Sequence, residues 1–341
     1  MNALLAYAED EAGGLMSPRF ARVRPDMRVD EALSYLRRQA LERVETLYYA
    51  YVLDRDQRLL GVASIRELFA ARSDVIVAEV MRADVIMVRE DTDQEDLVRL
   101  FAEHDLLAIP VVDEARHLRG IVTVDDVVDV EREESTEDFQ KVGGMQALAT
   151  PYLEARFSQM LKRRGGWLSI LLVGEMFTAS AMAHFEADIR NAIVLALFVP
   201  LIISSGGNAG SQAATLIVRA LTIGELHLRD WRRVLHREMA AGLALGALLG
   251  TIGLLRILLW QLFFGTYGPG YFNVAITVGV SLVAVVVWGA ITGAMLPFIL
   301  RSVSADPATA STPLVATIVD VSGIVICFGT ARLFLHGGLP I

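Results

Sequence analysis

Five long apolar stretches follow residue 160, at Trp167–His184, Ala192–Arg219, Met239–Phe264, Phe272–Leu300 and Pro307–Leu335, and they constrain the chain more than any other feature. Each is long enough to cross about 30 Å of hydrocarbon, which takes roughly 20 helical residues. In lipid, backbone N–H and C=O groups must find partners within the segment, so each stretch is predicted to be a helix. Lys162, Arg163 and Arg164 precede the first stretch; Arg229, Arg232, Arg233 and Arg237 join the second to the third; Arg301 lies between the fourth and fifth. The opposite connections, Phe185–Asn191 and Gly265–Tyr271, carry only Arg190. With the basic ends in the cytoplasm, the amino terminus lies inside and the carboxyl terminus outside, leaving Arg190 and Arg332 as exceptions.

The first half differs in kind. Up to residue 140 the chain has 31 acidic against 17 basic residues, and beyond it 9 against 14. An acidic soluble part therefore precedes a basic-edged membrane part, which argues against nucleic acid as a partner. Met1 to Asp10 has neither a basic start nor an apolar core, so no signal peptide is predicted. The single cysteine, Cys327, lies in an expected span, which rules out an intrachain disulfide framework and suits a cytosolic first half. No nucleophile–base constellation accompanies these features, so an enzyme is not expected.

The acidic half repeats itself. Tyr48 to Asp54 followed by Leu59 to Leu68 recurs as Leu106 to Asp113 followed by Leu118 to Val127. Each copy reads as strand, turn, strand, helix, preceded by a methionine and an amphipathic helix: Met16 with Val29–Gln39, and Met81 with Asp93–His104. The paired period, with Gly-x-x-Ser/Thr in both copies, resembles a pair of cystathionine-β-synthase (CBS) domains.

Within the fifth apolar stretch a carboxylate, Asp320, sits near the middle. A charge there costs at least ~2.5–3.5 kcal/mol, so it faces a water-filled path or a buried partner, for which Arg256 is the candidate. Pro313 lacks an N–H and on a continuous helix leaves the Thr309 carbonyl free. Thr309, Pro313, Ala316, Asp320 and Gly323 then share one stripe by their three- and four-residue spacing. Gly207, Asn208 and Gly210 interrupt the second stretch, as packing elements or as the wall of a path. Gly242, Gly246 and Gly250 in the third stretch, with Gly289 and Gly293 in the fourth, suit close helix packing. Glu175 in the first stretch stands apart, protonated or paired. Glu238 and Asp306 read as helix-start residues.

The order of CBS pair, acidic linker and five spans, with Pro200 to Thr215 and Asp306 to Asp320, is similar to the MgtE family of magnesium channels and transporters. The resemblance covers nearly the whole chain, including the entry segment Tyr7 to Met16. Most family members carry an amino-terminal helical domain before that entry, and this chain starts at the entry itself. The implied architecture is multidomain, an α/β CBS pair followed by an all-α polytopic membrane domain of five helices. Its divisions are 1–14 (entry), 15–78 and 79–133 (CBS domains), 134–164 (acidic connecting helix region) and 165–341 (membrane domain). The resemblance further implies a homodimer in a bacterial cytoplasmic (inner) membrane. Its Mg2+ path is lined by the second and fifth spans, Asp320, Ala316 and Asn208 holding the ion and Gly207, Gly210, Thr309 and Pro313 lining the wall. Another divalent cation (Mn2+, Co2+, Ni2+) or an anion is the alternative cargo.

Asp125 to Asp138 continues from the second CBS copy. Glu133/Glu137 and Glu134/Asp138 are four apart, and like charges at that spacing each cost ~0.2–0.5 kcal/mol in a helix. A solvated helix face is one reading. The resemblance implies the other, a regulatory Mg2+ sensor formed by Asp126, Asp129, Glu134, Glu137 and Asp138. Gly143, Gly144 and Pro151 are expected to break this helix before a second piece, Tyr152–Lys162. The resemblance also implies ATP at the CBS pair, with Thr123 and Asp126 at phosphate and ribose and Ile109 and Pro110 beside the base. In the first copy Glu67 replaces Asp at the ribose position, and a purely structural CBS pair is the alternative.

Overall fold

The computed structural model describes residues 7–335 apart from positions 9, 43, 149, 151, 192 and 269; Pro151 and Ala192 thus lie outside the described residues. The chain forms two compact units that divide between Ser135 and Thr136.

The first unit contains α1 (Ala12–Leu15), β1 (Arg22–Val23), α2 (Val29–Gln39), β2 (Tyr49–Leu53), β3 (Leu59–Ser64), α3 (Ile65–Ala70) and α4 (Val77–Val80). The second copy follows as β4 (Val88–Arg89), α5 (Gln94–His104), β5 (Ala108–Val112), β6 (Leu118–Thr123) and the start of α6 (Val124–Val142). Each copy has a three-stranded sheet, in the order β1-β2-β3 and β4-β5-β6, with one parallel and one antiparallel pairing. Val29, Ala32 and Leu36 bury one stripe of α2, while Asp30 and Glu31 in its first turn and Arg37 and Arg38 in its last complement the helix dipole. Gln39 fastens that helix to β1: the Arg22 N–H donates to Gln39 Oε1 and Gln39 Nε2 to the Arg22 carbonyl, both at 3.1 Å.

The methionines before each copy pack in exchange. Met16 joins the core of the second copy, with Val88, Leu97 and Ile109, and lies against Gly120. Met81 packs on the first-copy core and lies against Gly61. The two sheets share a further core of Tyr51, Leu53, Leu59, Val112, Leu118 and Ile121. Their hairpin turns pair with each other, the Leu59 N–H donating to the Arg116 carbonyl and the Leu118 N–H to the Gln57 carbonyl.

The second unit comprises the end of α6, then α7 (Phe157–His184), α8 (Glu186–Asn191), α9 (Ile193–Ala196), α10 (Val199–Thr222), α11 (Trp231–Phe264), α12 (Tyr271–Ser302) and α13 (Thr312–Leu335). Among the described residues, five helices are long and apolar enough to cross a membrane: Phe157–His184, Ile193–Thr222, Leu228–Phe264, Tyr271–Ser302 and Thr312–Phe334. The second linker piece does not stand alone, because its residues from Phe157 run into the first span without a break. The third helix starts at Trp231, so Glu238 lies two turns inside it and is not a helix-start residue. The fifth starts at Thr312, and Pro307–Thr309 before it is a separate 3-10 turn.

Glycine seams hold the bundle together. A Cβ at Gly246 would lie 2.9 Å from Val283 Cα and one at Gly250 2.7 Å from the Gly279 carbonyl oxygen, so α11 and α12 touch backbone to backbone. On the other side of α12, Gly289 and Gly293 face Gly206 and Gly210 of α10 in the same way. The two exceptions to the charge pattern are neutralised locally, Arg190 by Glu186 and Arg332 by Asp188 at 2.9 Å.

Candidate ion path and its approaches

Asp320 lies on α13, half-buried, where α10 passes close. A Cβ added at Gly207 would lie 3.7 Å from the Ala316 methyl and 3.9 Å from Asp320 Oδ1, so the small residue sets how near the carboxylate comes to α10. Glu175 of α7 comes within hydrogen-bond reach of the same carboxylate. It is brought there by Gly174, whose absent Cβ leaves room for Thr317 of α13, and its Oε2 accepts from Thr178 Oγ1 at 3.2 Å. Arg256 does not pair with Asp320. Its guanidinium donates to Tyr267 Oη at 3.2 Å and stacks 3.3 Å above the Trp260 ring.

One face of α10 is polar and uncovered. Ser204, Asn208, Gln212, Thr215 and Arg219 are all exposed and recur every three or four residues, next to buried Gly207. Gly210 is not on that face; it is buried between Gly289 and Val315 in the α12 seam. Thr309 falls in the separate 3-10 turn, off the expected stripe, whereas Pro313, Ala316, Asp320 and Gly323 keep their shared spacing on α13. Pro313 occupies the first turn of α13, where its missing N–H has no helical partner to lose. The Thr309 carbonyl accepts from the Ser311 N–H at 2.6 Å, so no free carbonyl remains one turn above Pro313.

The linker acids do not form a single cluster. Asp126 accepts from Thr123 Oγ1 at 2.7 Å, Asp129 is exposed, and Glu134 accepts from Gln94 Nε2. Glu137 and Asp138 converge with Asp306, a residue outside the expected set. Lys141 Nζ donates at 2.6 Å to both Glu137 and Asp306, while Asp306 caps its own 3-10 turn through the Ala308 N–H. Burial, and after it the Asp306 charge, pushes the Asp138 carboxyl above the ordinary carboxylate range, against the opposing Thr222 hydrogen bond and Lys141. Among the described residues, no three His, Cys, Asp or Glu side chains of one chain lie close enough together to hold a metal.

In the first unit a cleft of about 960 Å3 is lined by Tyr48, Tyr49, Tyr51, Ser64, Arg66, Arg82, His104 and Pro110 among others. Of the four residues expected at a nucleotide, only Pro110 lines it. Ile109 is fully buried, and Thr123 and Asp126 bond to each other at the start of α6. Glu67 is likewise engaged, closing a capping box with Ser64 and accepting from Arg82 Nε at 2.8 Å. Tyr51 Oη is buried in the cleft wall with no hydrogen-bond partner among the described residues. That orphan is a feature no sequence pattern announces.

A family described as "Divalent cation transporter" matches residues 199–330, and the CBS domain family matches 12–74 and 77–133. The magnesium transporter MgtE of Thermus thermophilus is 46% identical over 98% of this chain and 72% of its own length. The magnesium transporter MgtE of Enterococcus faecalis is 31% identical over 98% and 71%. Among solved structures, the cytosolic domain of the Mg2+ channel MgtE in complex with ATP is 53% identical over 38% of this chain and 52% of that one, with a TM-score of 0.37.

Proposed function

The chain belongs to the MgtE family of divalent cation transporters, and from that premise we propose that it conducts Mg2+ passively across the bacterial cytoplasmic membrane, through a path completed by a second copy. The polar, uncovered face of α10 beside Asp320 carries this reading. Polar and charged groups inside a membrane almost always face a bundle interior or water. Within one copy this face has no cover, and a second copy related by a two-fold axis supplies it.

Two Asp320 carboxylates facing each other repel until a cation lies between them, which selects for double charge. Mg2+ loses water reluctantly and prefers oxygen in octahedral array. Asp320, the Ala316 carbonyl and Asn208 therefore hold it through its water shell. Glu175 adds a second carboxylate from the same subunit, which favours a cation over an anion as cargo. Carboxylate and amide oxygens suit Mg2+ better than Co2+ or Ni2+, which prefer imidazole.

The acids of α6, namely Asp126, Asp129, Glu134, Glu137 and Asp138, act as the Mg2+ sensor that closes the path at high cytosolic Mg2+. The raised Asp138 carboxyl supports this, since its charge is disfavoured where it stands and a cation relieves it. Basic residues at the ends of α7, α10 and α12 support an amino terminus inside. ATP is a fitting ligand for the first-unit cleft: the volume suits a small molecule, Arg66, Arg82 and His104 suit phosphate, and Tyr51 Oη lacks a partner among the described residues.

The test of the path is Mg2+ flux into liposomes. Asp320→Asn keeps the volume and removes the paired charge, so it is expected to abolish uptake while the protein stays folded. Wild-type flux in that variant removes Asp320 from the path.

A further inference from the structure

The first turns of α7 carry a basic pocket that the ion path does not use. Leu148, Thr150, Gln159, Lys162 and Arg163 line a space of about 230 Å3. Its loop wall is pinned, the Leu148 N–H donating to Gln140 Oε1 at 2.7 Å and the Gln146 N–H to the Arg163 carbonyl at 3.5 Å. Gln159, Lys162 and Arg163 share one helix face by their three- and four-residue spacing. Neither cation has a carboxylate partner among the described residues.

The same face continues as Gly166, Ile170, Val173 and Phe177. A Cβ at Gly166 would meet nothing within 4 Å, and the next three side chains are 59, 57 and 61% exposed. Ile170 and Phe177 lie about 12 and 22 Å from Lys162 along the helix axis. One leaflet of hydrocarbon is about 15 Å deep, half of the ~30 Å core. The pocket thus sits at the head of an apolar track as deep as a leaflet.

We propose that this pocket binds the phosphodiester headgroup of an anionic phospholipid, with an acyl chain laid along the face from Gly166 to Phe177. Lys162 and Arg163 meet the phosphate charge, and the Gln159 amide and Thr150 hydroxyl add neutral donors. Charge complementarity favours a lipid over a second copy. Lys162, Arg163 and Arg164 on the first turns of α7 are all basic, so two copies meeting through this same face bring like charges together. Among the described residues of α7 only Leu171 is buried in its own bundle, which leaves the track open to lipid. The proposal requires α7 to span the bilayer and is independent of the ion path.

The test is native mass spectrometry of the full chain in neutral detergent, with equal amounts of dioleoyl phosphatidylglycerol and phosphatidylcholine. Wild type is expected to retain phosphatidylglycerol preferentially. K162Q/R163Q is expected to lose that preference about 25-fold, from about fivefold per cation. The single variants, each about fivefold weaker, carry the test if the double variant does not fold. R232Q/R233Q, which removes the same charge at another helix, is expected to match wild type. Unchanged retention in K162Q/R163Q overturns the proposal, as does an equal loss in both double variants, which marks a diffuse cationic surface. Displacement by inorganic phosphate alone assigns a free-phosphate site instead. A change in oligomeric state without loss of lipid gives the face to a second copy.

Discussion

Replacing Lys141 by Gln tests whether the end of α6 is an electrostatic clamp on the start of the fifth span. Lys141 Nζ bridges Glu137 and Asp306 at 2.6 Å each, and Asp138 stands in the same group. The side chains are 29, 42 and 37% exposed for Lys141, Glu137 and Asp306, between a solvated surface pair and a buried one. Exposed pairs contribute about 0.2–1 kcal/mol. Hydrogen bonds to charged groups contribute about 1.5–3 kcal/mol. Two half-screened bonds, with the carboxylate repulsion left behind, place the loss at about 2 kcal/mol. For a unit of this size that is roughly 4–8 °C in melting temperature. Without the lysine the repulsion among Glu137, Asp138 and Asp306 is uncompensated, and divalent cations screen it more in the variant than in wild type. Mg2+ is therefore expected to restore the variant and to raise its melting point by more than it raises wild type. The assay is melting in chelator and across a Mg2+ titration, with chymotryptic cutting at exposed Phe139 as a local readout. Equal melting points in chelator, or an equal Mg2+ increment, refutes the clamp.

At Gly207, a methyl lands at ordinary contact distance from Ala316 and Asp320, so Gly207→Ala is expected to conduct and Gly207→Leu to block, measured as liposome flux. Glu175→Gln removes the second carboxylate beside Asp320 and is expected to raise the half-saturating Mg2+ concentration several-fold with flux retained; an unchanged value separates Glu175 from the path. Asp113 is pushed up by burial, but hydrogen bonds from His117 and the Arg119 charge outweigh this and hold its carboxyl down at about 2. A depressed acid stabilises the fold fully above its unfolded value of about 3.9 and loses that contribution as pH falls through the folded value. The advantage of wild type over Asp113→Asn in urea midpoint is therefore expected to shrink between about pH 4 and pH 2; a constant difference means Asp113 contributes no charge-dependent stability.

Features that repeat along one element were legible in the sequence. The buried stripe of α2 and the cap at Asp93 define helices at Val29–Gln39 and Gln94–His104, and apolar length alone marks five spans. Asp320 was visible because one charge in a long apolar run is conspicuous on energetic grounds. Contacts between distant positions were not legible. Glu175 was seen as an isolated acid, yet its significance lies in the packing of Gly174 on Thr317. Asp306 read as a helix-start acid and does cap its turn, while its second bond, to Lys141, crosses 165 positions. Gly210 and Gly207 look alike in sequence, and three residues of helix turn one toward α12 and the other toward Asp320.

Because Met16 and Met81 are traded between the two CBS copies, neither copy is a self-sufficient folding body. A chain cut between them separates each core from a side chain that closes it, Met16 from Gly120 and Met81 from Gly61. The pair should therefore melt in one cooperative transition, with no half-folded species in which one copy persists alone. Duplicating, deleting or permuting a single copy damages both, and the smallest inheritable piece of this unit is the interlocked pair.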